Sequence, residues 1–234
     1  MMLDRMEGNA ELKSSVQLML AARRLTHSVL LVGEKGLGAG FAARCIAADY
    51  LYPAGGAPAE ALLRGECCRA VAKAGKRDSG QVETGIVREA ISVTGMGAGG
   101  RYLVGQVTAM RSEIFNTSLS AEGRAVLLYH VEKMNEESAN ALLKVMEEPP
   151  EGVLFLLTAD SLASRRLHQL CRGAGPAGAV RPLLHRTGGG QKDRRAVQRA
   201  VRRAHRHGAC SGTGRSPHGA GGKGAAAGKD RSRP

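Results

Sequence analysis

Residues 28–40 read Ser-Val-Leu-Leu-Val-Gly-Glu-Lys-Gly-Leu-Gly-Ala-Gly, a strand-length apolar run feeding a glycine-rich turn. That is the layout of a phosphate-binding loop, in which backbone N–H groups at a helix N-terminus cradle phosphate oxygens. The full pattern is Gly, four residues, then Gly-Lys-Ser/Thr. The lysine neutralises the β- and γ-phosphates, and the hydroxyl holds magnesium. Gly33 and Gly38 fall on the two glycine positions, with Gly36 between them, but Ala39 stands where the lysine belongs and Gly40 where the hydroxyl belongs. The sequence predicts the scaffold of such a loop without its cation or its metal ligand. Lys35, inside the loop, reads as a solvated lysine.

Other reactive side chains carry less. Cys45, Cys67, Cys68, Cys171 and Cys210 are odd in number and irregularly spaced, which argues against a disulfide scaffold and for a reducing, cytoplasmic setting. His130 reads as a satisfied histidine at a strand end rather than a ligand. Methionines at helical spacing read as core filler. No run approaches the ~20 apolar residues of a membrane-spanning helix. Asp4 and Glu7, without an apolar stretch, do not make a signal peptide.

The elements that must position the loop follow from hydrophobic spacing. Asn9 can cap a helix with Leu12, Val16, Met19 and Leu20 on one face. Val29–Val32 reads as a buried strand and Phe41–Leu51 as the helix after the loop. A loop from Pro53 to Pro58 leads into an amphipathic segment ending at Arg64. Residues 65–100 are rich in glycine and polar residues, with strand-like pieces at Ile86–Val87 and Ile91–Val93, and Gly95, Gly97, Gly99 and Gly100 mark a flexible turn. Gly105–Asn116 predicts a helix with Val107, Met110 and Ile114 facing the core, and Ala125–Tyr129 predicts a second buried strand. Asn135 caps a helix with Glu136 and Glu137 at its positive end and a stripe of Ala139, Leu142, Leu143 and Met146. Pro149 and Pro150 stop it, and Val153–Leu157 is a third buried strand. Continuous apolar strands alternating with helices imply a mainly parallel sheet with helices on both faces.

One stretch is more specific. Asn135-Glu-Glu-Ser-Ala-Asn140-Ala-Leu-Leu-Lys144-Val-Met-Glu-Glu-Pro-Pro150 resembles the Asn-Ala-Leu-Leu-Lys-x-Leu-Glu-Glu-Pro-Pro signature of bacterial clamp loaders. Gly8-Asn9 before a helix, His27 before the Gly33 loop, and Phe155-Leu-Leu-Thr158 are similar to that family in order and spacing. The likeness covers roughly residues 3–162 and, within the family, is greatest to the delta-prime type of DNA polymerase III. It implies an α/β P-loop NTPase domain of the AAA+ kind, continuing into a helical lid and collar.

Departures from the family pattern sharpen what the resemblance implies. Family members that hydrolyse ATP carry an acidic pair at the end of the second predicted strand, and the matching residues here are Tyr129 and His130. With Ala39 and Gly40, two parts of the ATPase site are missing, which implies no catalytic residues and no nucleotide cofactor. Thr158 matches the position that senses the γ-phosphate and reads as structural here. The family's four-cysteine zinc module is matched only by Cys68-Arg-Ala-Val-Ala-Lys-Ala-Gly75-Lys-Arg-Asp78. Cys67 is adjacent rather than three residues away and Gly65 takes the other ligand position, so no metal is expected and the two thiols read as free, on a surface subdomain. Neither Ser164-Arg165-Arg166 nor Cys171-Arg172 matches the Ser-Arg-Cys arginine finger usual in delta-prime chains.

Composition changes where the resemblance stops. Residues 165–234 hold 14 Arg and 3 Lys against 2 Asp and no Glu, a net of +15, whereas the chain as a whole is +13. The same segment has 14 Gly, four Leu, three Val and no aromatic residue, too little apolar area to offset ordering. The expected division is an AAA+ ATPase-like domain over 1–164 and a disordered Arg/Gly-rich tail over 165–234. The tail reads as a nucleic-acid-binding arm, a solvated charge run, or an out-of-frame translation of GC-rich DNA after a frameshift or truncation near residue 164. The third reading fits the abrupt change best.

The resemblance thus implies a non-hydrolysing stator subunit of a clamp loader. Its implied partners are gamma/tau- and delta-type subunits, with the sliding clamp and primed DNA reached through the complex. Two alternatives stand beside it: an active AAA+ ATPase with a divergent loop, and a nucleic-acid binder acting through the basic tail.

Overall fold

The computed structural model describes residues 1–22, 25, 28–75, 79–116 and 123–161, and the backbone of 181–184. Strand β1 (Ser28–Val32) is buried at every position. It leads through the glycine loop into helix α2 (Ala39–Leu51), two residues longer at its start than predicted, which packs with α1 (Ala10–Ala21) and α3 (Ala57–Arg64). Strands β2 (Cys67–Ala72), β3 (Gly80–Glu83) and β4 (Val87–Thr94) follow, then α4 (Val104–Asn116), β5 (Arg124–Tyr129), α5 (Glu136–Glu147), β6 (Val153–Ala159) and β7 (Arg181–Leu184).

All seven strands join one sheet in the order β3-β2-β4-β5-β6-β1-β7. Only β3 runs antiparallel, against β2. Leu30 and Val32 on β1, Val126 and Leu128 on β5, and Phe155 and Leu157 on β6 pack one face against α4 and α5. The residues between them, Val29, Leu31, Leu127, Leu154 and Leu156, pack the other face against α1, α2 and α3. This is the expected parallel sheet with helices on both faces. Because each side chain on a strand faces opposite its neighbour, the uninterrupted apolar runs seen in the sequence supply both cores at once.

Caps fix the helix starts. Asn9 and Asn135 side chains accept the N–H of Leu12 at 3.3 Å and of Ser138 at 2.7 Å. The buried Asp49 of α2 accepts N–H from Met2 and Leu3 at 2.7 and 2.9 Å, pinning the N-terminal turn to the helix. Gln106, fully buried on α4, donates to the carbonyls of Ala70 and Thr94 and accepts from Met96 and Leu103, tying β2 and β4 to the helix start.

Three readings of the sequence change. The stretch 65–100, read as Gly- and polar-rich with two strand-like pieces, also holds β2 and β3, and the pieces around Val87 and Ile91 are one eight-residue strand. Cys67 and Cys68, read as free thiols on a surface subdomain, are free but buried on β2, and they face opposite cores. The tail expected to be disordered contributes β7, paired parallel to the open side of β1. Pro182 is compatible with this because an edge strand has one free side for a residue without an N–H. The rest of the tail, with Cys171 and Cys210, lies outside the described residues, as do His27 and 76–78.

Candidate functional site

Adjacent strands β1 and β6 send the chain in opposite directions, toward β2 and toward β7, so their carboxyl ends border the crevice where open α/β sheets bind ligands. The glycine loop occupies that edge. Gly33 donates its N–H to the Ala159 carbonyl at 3.0 Å, docking the loop on β6. Gly38, at φ 85°, caps α2 without a side-chain bond, in a backbone conformation that glycine takes at little cost. No charged residue stands in the first turn of α2. Lys35 is exposed, as the sequence suggested.

The ring of Tyr129, from the end of β5, lies beside Gly40. A Cβ built on Gly40 would stand 3.2 Å from Tyr129 Cε1 and 3.4 Å from Cδ1, so the ring lies against the bare backbone of α2. Burial raises the Tyr129 phenol above its usual range, while the neighbouring Arg44 guanidinium pulls the other way. Arg44 is itself held, donating Nε to the Leu63 carbonyl at 2.8 Å and stacking over the Phe41 ring at 5.7 Å. Ala39 offers no cation here and Gly40 no hydroxyl.

Thr158 is buried on β6, and its Oγ1 accepts the His130 N–H at 3.1 Å. That bond ties the ends of β5 and β6 together. His130 sits at φ 57°, in the left-handed region. Its Nδ1 lies 3.1 Å from Asp160 Oδ1 and 3.5 Å from Glu132 Oε1. Sequence reasoning named Tyr129, His130 and Thr158 but missed Glu132 and Asp160. The Tyr102 hydroxyl, buried beneath them, lies 2.5 Å from the Tyr129 carbonyl and 3.0 Å from that of Val93. Among the described residues no helix is long and apolar enough to cross a membrane.

A family model described as "DNA polymerase III, delta subunit" matches residues 8–165, spanning the glycine loop, strands β1 to β6 and the Asn135–Pro150 motif. The chain belongs to the DNA polymerase III delta-subunit family. Relatives of this family carry matching names. The chain is 25% identical over 150 residues to the DNA polymerase III subunit gamma of Buchnera aphidicola subsp. Acyrthosiphon pisum, covering 64% of this chain and 37% of that one. It is 26% identical over 138 residues to the delta' subunit of Bacillus subtilis, covering 58% and 37%. The chain thus spans little more than a third of the length of these relatives. Among solved structures, a gamma subunit-related protein from Thermotoga maritima superposes with a TM-score of 0.41 at 15% identity, over 79% of this chain and 49% of that one. The delta-subunit match places the chain among clamp-loader polypeptides, as the Asn135–Pro150 motif implied.

Proposed function

We propose that this chain acts as the non-hydrolysing, delta-prime type subunit of a DNA polymerase III clamp loader, with residues 1–164 as its AAA+ unit. In this role it holds a fixed place beside gamma/tau- and delta-type subunits, and reaches the sliding clamp and primed DNA through them. The observation that carries the reading is the Tyr129 ring lodged against Gly40 beside Ala39. A lysine, a metal-holding hydroxyl and an acidic pair supply most of the charge compensation for phosphoryl transfer in P-loop enzymes. Here all three positions hold groups that cannot supply it, and one of those groups takes up space beside the helix N-terminus.

Equilibrium titration of the full chain with a fluorescent ATP analogue in magnesium tests this. The expected result is no saturable binding in the micromolar range and no turnover. Micromolar affinity with measurable hydrolysis would instead make the chain an active ATPase of the same family.

A further inference from the structure

The carboxyl ends of β5 and β6 bring together His130, Glu132 and Asp160, with one ligand atom of each within 4.8 Å of the other two. Two ligand atoms each about 2.1 Å from a divalent ion stand about 3.0 Å apart on an octahedral edge and about 3.4 Å apart on a tetrahedral one. The separations from His130 Nδ1, 3.1 and 3.5 Å, are of that size. The 3.1 Å contact with Asp160 also suits a direct hydrogen bond, so the stronger pointer is the set of unpartnered atoms. Among the described residues, His130 Nδ1 and both carboxylate oxygens of Glu132 are shut off from solvent and make no hydrogen bond. Buried polar atoms are almost always partnered, so three orphaned atoms around one point call for a shared partner.

The backbone supports the same conclusion. A non-glycine residue at φ 57° is held there by its surroundings, here by the bond from its N–H to Thr158 Oγ1. A direct hydrogen bond from His130 Nδ1 to Asp160, at 3.1 Å, is the alternative, and the cobalt titration below separates the two.

We propose that His130, Glu132 and Asp160 form a site for one divalent transition-metal ion of the zinc class, stapling the ends of β5 and β6, with solvent completing the coordination shell. One imidazole with two carboxylates suits zinc, cobalt(II) or manganese(II) better than magnesium or calcium, which favour all-oxygen shells. The site shares His130 with the replaced acidic pair but needs neither the glycine loop nor a nucleotide, and its test uses no nucleotide, so its failure is distinguishable from failure of the proposed subunit role.

Cobalt(II) is the probe for the full, chelator-stripped chain, because its spectrum distinguishes nitrogen and oxygen ligands from thiolates. Expected is binding of about one equivalent with visible d–d bands and no sulfur-to-metal charge transfer, competed by zinc. His130→Asn, Glu132→Gln and Asp160→Asn should each weaken it about tenfold or more. Asparagine is chosen at 130 because it tolerates the left-handed backbone. Metal should also raise the unfolding temperature of the wild type but not of Glu132→Gln, a near-isosteric change whose own fold is checked by circular dichroism. A thiolate band, affinity unchanged in all three variants, or no cobalt uptake at millimolar concentration would each overturn the site.

Discussion

Gly40 and Tyr129 behave as one structural unit although they lie far apart in the sequence. The ring fits because position 40 has no side chain, and a Cβ there would meet Cε1 at 3.2 Å. Writing the consensus loop back in with Ala39→Lys and Gly40→Thr should therefore fail to restore nucleotide binding. The threonine alone should cost about 1–3 kcal/mol by overpacking. In a Tyr129→Ala background that cost should largely vanish, giving a coupling of about 1 kcal/mol or more in a double-mutant cycle. Urea denaturation of the four proteins measures it, and strictly additive effects would mean the contact is incidental. Ala39 and Gly40 were legible in the sequence because a fixed pattern says what should be there. The filling of the gap by Tyr129 was not, since it depends on how α2 lies over β5. Glu132 and Asp160 were hidden for a related reason. The β5–β6 register ends at Leu128 opposite Leu157, which brings the residues just past both strands to the same edge of the sheet. Only the strand register reveals that neighbourhood.

Among the elements, those with strong periodicity or a cap were legible: α1, α2, α4, α5, β1, β5 and β6 all fall within a few residues of their predicted limits. Strands β2 and β3 were not. Cys67-Cys68-Arg69 lacks the alternation of a half-exposed strand, and its register shifts against β4 between the two cysteines. Once they lie on a strand facing opposite cores, they cannot share one tetrahedral ion, which is a firmer objection to a cysteine zinc site than the missing spacing. Gln106 is the other element-scale feature the sequence concealed, because a glutamine on a helix reads as surface. It satisfies four backbone groups where β2, β4 and α4 meet. Gln106→Leu keeps the volume but strands those groups, and should cost about 2–4 kcal/mol. Asn135→Ala, which removes a single cap bond at a helix start, should cost only about 1 kcal/mol. Chemical denaturation compares the two directly. If the cap variant proved the more damaging, Gln106 would not be the joint between sheet and helix that its bonds imply.

For the whole molecule, the family match ends at residue 165, where the charge balance and apolar content also change. The clamp-loader kinship was legible over the preceding stretch because a long ordered motif fixes both helix α5 and its two flanking strands. Beyond it, only Arg181–Leu184 enters the described fold, where the Leu183-Leu184 pair continues the β1 edge. A strand at that edge needs little more than a short apolar run. Its presence is therefore compatible with a tail whose composition was never selected for packing. We expect the nucleotide sequence, read in the other two frames after codon 164, to encode a Ser-Arg-Cys motif followed by amphipathic helices. Brief proteolysis of the chain as it stands should trim the basic segment back toward Ser164, with mass spectrometry locating the cuts and deciding whether β7 gives protection as far as Leu184. A protected core reaching past residue 200, with no helical pattern in either alternative frame, would mark the tail as an evolved basic arm. Its net charge of +15 would then predict DNA binding that weakens steeply with salt.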